Sequence, residues 1–204
     1  MENFMPHRVT ELHNIMPIAN MSSVLAHGIV SYERAAALPH ASVALMAVQD
    51  RRDNKQVPGG LRLHQYANLY FCARNPMLFK RLDQRDSLCI LRVSRRILAQ
   101  QHVIITDMNA SSDYVRFYRS PDGLRHLNFD QIYANDWRHP GNSADYYRHR
   151  SVKCAEVLVP EVVAPEMLEG AYVPNGVAEA MLRGQGFTLP IQQHPHLFFI
   201  GDAP

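Results

Sequence analysis

What most constrains this chain of 204 residues is the brevity of its apolar runs. VTELHNI (Val9 to Ile15), NLYFCA, SLCILRV, HVIIT, AEVLVPEVV (Ala155 to Val163), GFTLPI and HLFFI each have the length and β-branched or aromatic content of a single strand. None approaches the ~20 apolar residues that a membrane-spanning helix needs. Between them lie helix-like stretches: IANMSSVLAH, opened by Pro17 and closed by Gly28, then ASVALMAVQDRRD, PMLFKRLD, RRILAQQ, APEMLEG and NGVAEAMLRGQG. Strands and helices do not alternate regularly, so a doubly wound parallel sheet is not expected. The pattern predicts an α+β domain, one unit over residues 1–204, with a central, mainly antiparallel β-sheet and helices inserted between strands.

Composition narrows the class further. At 47% hydrophobic and 20% charged the chain can build a core, which excludes disorder. Cys72, Cys89 and Cys154 are odd in number, widely spaced and without a CxxC pair. They read as reduced thiols of a cytoplasmic protein, with neither disulfide nor metal site. The opening MENFMPHRVTEL lacks a signal-peptide pattern. Of 21 basic residues 18 are Arg, and residues 51–96 carry 11 basic against 3 acidic side chains, whereas residues 154–204 carry 1 against 6. The guanidinium is a planar fork suited to phosphate and to base edges, so the middle of the chain is a candidate anion-binding face. A codon bias towards Arg would give the same composition.

Nucleotide signatures such as GxGxxG, GxxxxGK[ST] and GxSxG are absent. The polar residues that stand out are His13 in LHNI, the Arg51–Arg52 pair before a Pro-Gly loop, Arg74 after YFC, and Glu156 at the head of an apolar strand. Each taken alone fits an ordinary structural or surface residue. The run WRHPGNSADYYRHR interleaves Trp137, Tyr146 and Tyr147 with Arg138, Arg148 and Arg150, a composition that suits stacking on unpaired bases but equally a plain surface loop.

Read together, the segments carry a resemblance. LHNIMPIANMSSVLAHGI (Leu12 to Ile29), QDRRDNKQVPGGLRLHQYANLYFCARNPMLF (Gln49 to Phe79), TDMNASSDYVRFYR (Thr106 to Arg119) and KCAEVLV (Lys153 to Val159) are similar, in this order, to segments of the DarT-type DNA ADP-ribosyltransferases. The resemblance implies an ADP-ribosyltransferase-like fold with a split sheet. It implies a toxin that takes ADP-ribose from NAD, as co-substrate and without a metal, and attaches it to a base in single-stranded DNA. It also implies a macrodomain antitoxin of DarG type that reverses the modification. Carried over by position, Glu156 and Arg52 are catalytic. His13, Asn14, Ile15, Ser23, Ser31, Arg52 and Tyr70 fall on NAD contacts. Arg74, Asn75, Pro76, Met77, Leu78 and Phe79, then Asn135, Asp136, Trp137 and Arg138, then Arg150, Ser151 and Lys153 fall on DNA contacts. H-N-I stands where the family has H-I-T, one extra residue separates His13 from Asn20, and Asp136 stands where the family often has Tyr.

The chemistry suits these residue types. Breaking the nicotinamide–ribose bond builds positive charge on the sugar, which a carboxylate such as Glu156 stabilises. Pro58 to Gln65 and Ser143 to Arg150 read as gating loops. An ionised Asp136 only accepts hydrogen bonds, so guanine, which presents two adjacent donors, is expected over thymine as the acceptor. The alternatives are an RNA ADP-ribosyltransferase of the same fold and a non-catalytic nucleic-acid-binding module.

Overall fold

Most of the apolar runs become strands of one eight-stranded sheet in a computed structural model that describes residues 8–41 and 46–201. In chain order the strands are β1 (Glu11–Pro17), β2 (Ile29–Val30), β3 (Tyr66–Tyr70), β4 (Leu88–Ser94), β5 (Ile104–Thr106), β6 (Phe117–Arg119), β7 (Glu156–Pro160), β8 (Val162–Val163), β9 (Leu168–Val173) and β10 (Ile191–Gln193). Across the sheet they run β10-β9-β4-β1-β3-β7-β5-β6, with β9 and β10 parallel and the other neighbours antiparallel. β2 and β8 pair separately. The helices are α1 (Met21–His27), α2 (Tyr32–Ala35), α3 (Met46–Asp53), α4 (Pro76–Phe79), α5 (Phe129–Tyr133), α6 (Ser143–Val152) and α7 (Gly176–Gly184). The α+β architecture expected from the sequence is therefore present.

Local signals account for much of this. Gly28 ends α1 at φ +79, and a Cβ there would lie 2.2 Å from the Val163 carbonyl oxygen, so the helix stop doubles as the seat of the β2–β8 pair. Asn75, Asn142 and Asn175 open α4, α6 and α7 by accepting backbone N–H groups of the first turn. One face of the sheet buries Leu12, Leu69, Leu91 and Val157 against Met21 and Val24 of α1 and Leu182 of α7. The other buries Ile15, Tyr70 and Ile90 with Trp137 and Phe198.

Several elements depart from expectation. APEMLEG gives only a 3-10 turn, Pro165–Met167, after which Leu168–Val173 is strand β9, because pairing to β4 on one side and β10 on the other overrides helix propensity. HLFFI has no neighbouring strand and instead follows Pro195 into a 3-10 turn that buries Phe198. RRILAQQ is likewise 3-10, over Arg95–Ala99. AEVLVPEVV breaks into β7 and β8 at Glu161, whose φ is +64. Of GFTLPI only Ile191 enters β10, NLYFCA begins earlier, at Tyr66, and the short β6 has no sequence signal. Of the helix expected over 41–53, residues 42–45 lie outside the described residues and α3 occupies the remainder.

One irregularity dominates. β1 is paired with β4 along its whole length, Glu11 to Pro17, but with β3 at a single register pair, His13 opposite Tyr70. Beyond that pair the strands part, and the sheet is split.

Candidate active site

The split opens a cleft of about 1130 Å³. Asn14, Ile15, Met16 and Pro17 line it from β1, and Tyr66, Asn68 and Tyr70 from β3. At the closed end the Asn14 amide donates to the Asn68 carbonyl at 3.0 Å, replacing the ladder bond that the diverging backbones no longer make. Loop 107–116, α4 and α6 supply other walls. Arg51, Arg52, Lys80, Arg81, Arg116, Arg148 and Arg150 reach the lining, against Asp107 and Asp113 as its acids. A cleft with this charge favours anionic ligands.

Glu156 sits beside the split. Register places His13, Tyr70 and Glu156 on one rung of three adjacent strands, and Glu156 is 0% exposed. Its carboxylate accepts the Ala110 backbone N–H at 2.9 Å and the Arg52 guanidinium, from one nitrogen, at 3.1 and 3.3 Å. Its own N–H donates to the Thr106 hydroxyl at 2.9 Å, and that hydroxyl donates to the Met108 carbonyl at 2.7 Å. The T-D-M-N-A segment thereby acquires a physical meaning: Thr106 anchors the backbone of Glu156 while the turn at Ala110 aims an amide at its side chain. Arg52, 7% exposed, comes from the end of α3, and the neighbouring Lys55 ammonium donates to the Ser112 carbonyl, tying this segment to the same loop. A buried carboxylate needs such partners, since an unpaired one would cost several kcal/mol. Arg52 and Tyr70 line the cleft while Glu156 lies behind them, so the carboxylate is held in reserve one layer below the surface. Burial, and then the Glu156 charge, push the Tyr70 phenol far above its ordinary pKa and keep it neutral.

The sequence-derived NAD residues divide. Asn14, Ile15, Arg52 and Tyr70 line the cleft. His13 does not: its ring lies 6.2 Å from that of Tyr172, tilted by 38°, and Nε2 lies 3.1 Å from the Glu11 carboxylate. Ser31 is fully buried and caps α2 by accepting the Arg34 N–H, and Ser23 is half-buried on α1. The neighbours of Ser31, Val30 and Tyr32, reach the cleft instead, because a cap serine points back into its own helix.

The sequence-derived DNA residues need larger correction. Pro76, Met77, Arg150 and Ser151 line the cleft, and Phe79 is 50% exposed with its edge against Trp137 and Phe199. Leu78 is core, and Asn75 is buried as the cap of α4. Arg74 is buried: it donates to the His196 carbonyl at 2.5 Å and lies 4.0 Å from the Phe199 ring. Lys153 is 0% exposed, its ammonium donating to the carbonyls of Ile132 and Ala134 at 2.8 and 2.7 Å and to the Cys72 sulfur at 3.3 Å. Neither cation faces solvent: Lys153 secures the segment that leads into exposed Asn135 and Asp136 and buried Trp137, and Arg74 secures the turn at His196 to Phe199. Asp136 accepts the backbone and guanidinium N–H groups of Arg138 at 2.9 to 3.0 Å, and this pairing holds its carboxyl below the usual range. That carboxylate is engaged within its own turn, which removes the ground for favouring guanine. Ser143 to Arg150 is not a loop but most of α6. Loop 58–65 contributes Leu63 to the cleft. The cleft residues not singled out from the sequence include Lys80, Arg81, Asn109, Tyr114 and Arg116; the excess of cations in residues 51–96 covers the first two, and the Thr106 to Arg119 segment that carries the resemblance contains the other three.

Arg74→Ala accordingly costs stability rather than phosphate contacts. Losing a buried hydrogen bond and a ring contact lowers the melting temperature by roughly 2–6 °C, while the salt slope of oligonucleotide binding stays at the parent value. Scanning fluorimetry beside a salt titration checks this; a lower slope with an unchanged melting temperature contradicts it.

A family model described as ssDNA thymidine ADP-ribosyltransferase, DarT, matches residues 13–199. A DNA ADP-ribosyl transferase–DNA ADP-ribosyl glycohydrolase fusion protein of Thermosipho africanus is 29% identical over 204 residues, 95% of this chain and 50% of that protein. This chain thus spans half the length of that relative. A DNA ADP-ribosyl transferase of Thermus aquaticus is 27% identical over 91% of this chain and 85% of its own. The fold also matches Thermus sp. 2.9 DarT in complex with ADP-ribosylated ssDNA, with a TM-score of 0.81 at 21% identity, covering 96% of this chain and 99% of that one.

Proposed function

This chain belongs to the DarT family of ssDNA thymidine ADP-ribosyltransferases, and from that premise we propose that it transfers ADP-ribose from NAD to a thymidine base in single-stranded DNA. The Arg52–Glu156 pair, buried beside a cation-rich split in the sheet, is the observation that carries this reading. The bond between ribose and nicotinamide breaks with its electron pair going to the nicotinamide ring, the sugar gains positive charge, and a ring nitrogen of the base forms the new bond and sheds a proton. Glu156 accepts a ribose hydroxyl and sets its charge beside the developing cation. To do so it gives up part of its pairing with Arg52, whose guanidinium then faces the diphosphate. Arginine is a poor base, so the base proton goes to Glu156. No metal step is needed, and no metal-binding group of His, Cys, Asp or Glu is found among the described residues.

The relative that joins a transferase to a glycohydrolase supports a macrodomain partner of DarG type that removes the adduct, and hence a toxin–antitoxin pair acting on DNA in the cytoplasm. No helix among the described residues is long and apolar enough to cross a membrane. Incubation with NAD and single-stranded oligonucleotides that each lack one base type, read by intact mass, tests the reaction and its acceptor. The expected result is an ADP-ribose adduct on every oligonucleotide that contains thymidine and none on the one that lacks it. Modification that needs guanine instead overturns the base, and modification of RNA alone overturns the polymer.

A further inference from the structure

Arg52 stands at the end of a short helix whose hold on the fold depends on one histidine. α3 spans only Met46–Asp53, and the last turn of any helix leaves its carbonyls without partners inside the helix. Gln49 and Asp53 are four residues apart and share a face, with Arg52 beside that face. The His64 ring bridges the two: Nδ1 lies 2.8 Å from the Asp53 carboxylate and Nε2 lies 2.9 Å from the Gln49 side-chain oxygen. Among the described residues, the side-chain hydrogen bonds and ion pairs that tie α3 to the rest of the fold are this bridge and the contact of Arg52 with Glu156.

His64 is itself firmly placed. It is buried, and it comes from a 3-10 turn, Leu63–Gln65, that runs directly into β3. Its ring packs 4.4 Å from that of Tyr32, a residue of the cleft wall, and the Leu63 N–H donates to the Lys55 carbonyl at 2.9 Å, closing the hairpin back towards α3. Burial lowers the pKa of the ring, the Asp53 charge opposes this, and the charges of Arg52 and Arg62 add to burial, so the net shift is downward. The neutral ring donates from Nδ1 to Asp53, and a half-turn of the Gln49 amide offers its NH2 to Nε2.

These connections close a circuit. β3 pairs with β7 from Tyr66 opposite Pro160 to Tyr70 opposite Glu156. Arg52 is therefore set against Glu156 by two routes, the ion pair itself and the path through His64, β3 and β7. The first is given up in part when the guanidinium turns to the diphosphate. The second involves no reacting group and persists.

We propose that His64 is a positioning residue for Arg52, fixing the end of α3 relative to Glu156 while the guanidinium changes partner from the carboxylate to the diphosphate of NAD. The inference rests on the reading of Arg52 and Glu156 as the working pair of an ADP-ribosyltransferase.

The test reads NAD affinity by calorimetry and the single-turnover transfer rate by intact mass. His64→Phe keeps a ring beside Tyr32 and removes both bonds of the bridge. It lowers the rate by about 10- to 100-fold, the cost of misplacing a reacting group by about 1 Å, and weakens NAD binding by about three- to tenfold, a coupling usual for residues of one network. In an Arg52→Gln protein the same change leaves NAD affinity within about twofold, because the group that His64 positions is gone. A loss as large in both backgrounds means that His64 only stabilises its loop, and the proposal fails. Asp53→Ala cuts the bridge at an exposed residue without touching the core, and repeats the pattern with a smaller loss should His64→Phe not fold. Urea unfolding reads the same link without NAD: Arg52→Gln lowers the midpoint less in the Asp53→Ala protein than in the parent, since the pairing with Glu156 is already misaligned. A parent protein that binds no NAD yet shows this coupling refutes the proposed reaction and leaves the positioning standing, whereas equal midpoint losses with no NAD binding refute both.

Discussion

Glu156→Gln lowers the rate of ADP-ribosyl transfer by at least ~10²- to 10³-fold, the range seen when a preorganised charge is removed from a developing transition state. The amide keeps the shape of the carboxylate, and its single oxygen, in the place of Oε1, still accepts from Ala110 and from Arg52, so the fold survives; what disappears is the negative charge beside the ribosyl cation and the Arg52 bond to the second oxygen. Intact-mass analysis of a single-stranded oligonucleotide after incubation with NAD reads the rate, and scanning fluorimetry verifies the fold. A folded Glu156→Gln protein that modifies DNA at the parent rate refutes the assignment of Glu156. Because the variant removes the charge and little else, it separates electrostatic stabilisation from the packing that an alanine would also disturb.

A second large effect concerns acid stability and lies away from the cleft. Glu11 accepts the Arg92 guanidinium at 2.7 Å, the Tyr172 hydroxyl at 2.7 Å and the His13 ring at 3.1 Å. Burial alone would raise its pKa, but the three hydrogen bonds outweigh burial and bring it down to about 2. A carboxyl whose folded pKa lies below its unfolded value of about 4.5 contributes stability that is complete above pH 4.5 and is lost as the pH falls through 2. The shift corresponds to at most about 3 kcal/mol at neutral pH, and solvent screening at this half-buried carboxyl lowers that contribution. Glu11→Gln therefore destabilises the protein at pH 7 and flattens the decline of melting temperature between pH 4.5 and 2. Urea titrations of both proteins across that interval measure it, and parallel pH profiles would refute the role of Glu11.

The elements that were legible in the sequence are those whose signals are local. Pro17 and Gly28 bracket the first helical segment because one fixes φ and the other tolerates a positive φ, and SLCILRV is strand because nearly every residue of it is buried. Leu168–Val173 was not legible: Gly170 and a neighbouring acid look unlike a strand until β4 and β10 are known to flank them. The site divides in the same way. Arg52 and Glu156 were visible through the segments that surround them, whereas nothing in the letters shows which way a cation points. Lys153 and Arg74 occupy positions that read as basic and exposed, yet the geometry at the end of α6 and ahead of α4 turns both inward onto carbonyls. Asp136 misled for a related reason, since its partner is two residues away in its own turn.

The lone register pair between β1 and β3 gives the sheet two inner margins besides its outer ones. A free strand margin on an outer surface is a template for another chain, and proteins blunt it with charge, proline or a covering loop. Here the β3-facing edge of Asn14 to Pro17, whose other edge is paired to β4, lies sunken in a cleft, where no second sheet can be laid alongside it. Main-chain N–H and C=O groups that would be hazardous elsewhere are kept for whatever small molecule enters, and their protection against hydrogen exchange should rise when NAD is bound, stitching two half-sheets into one.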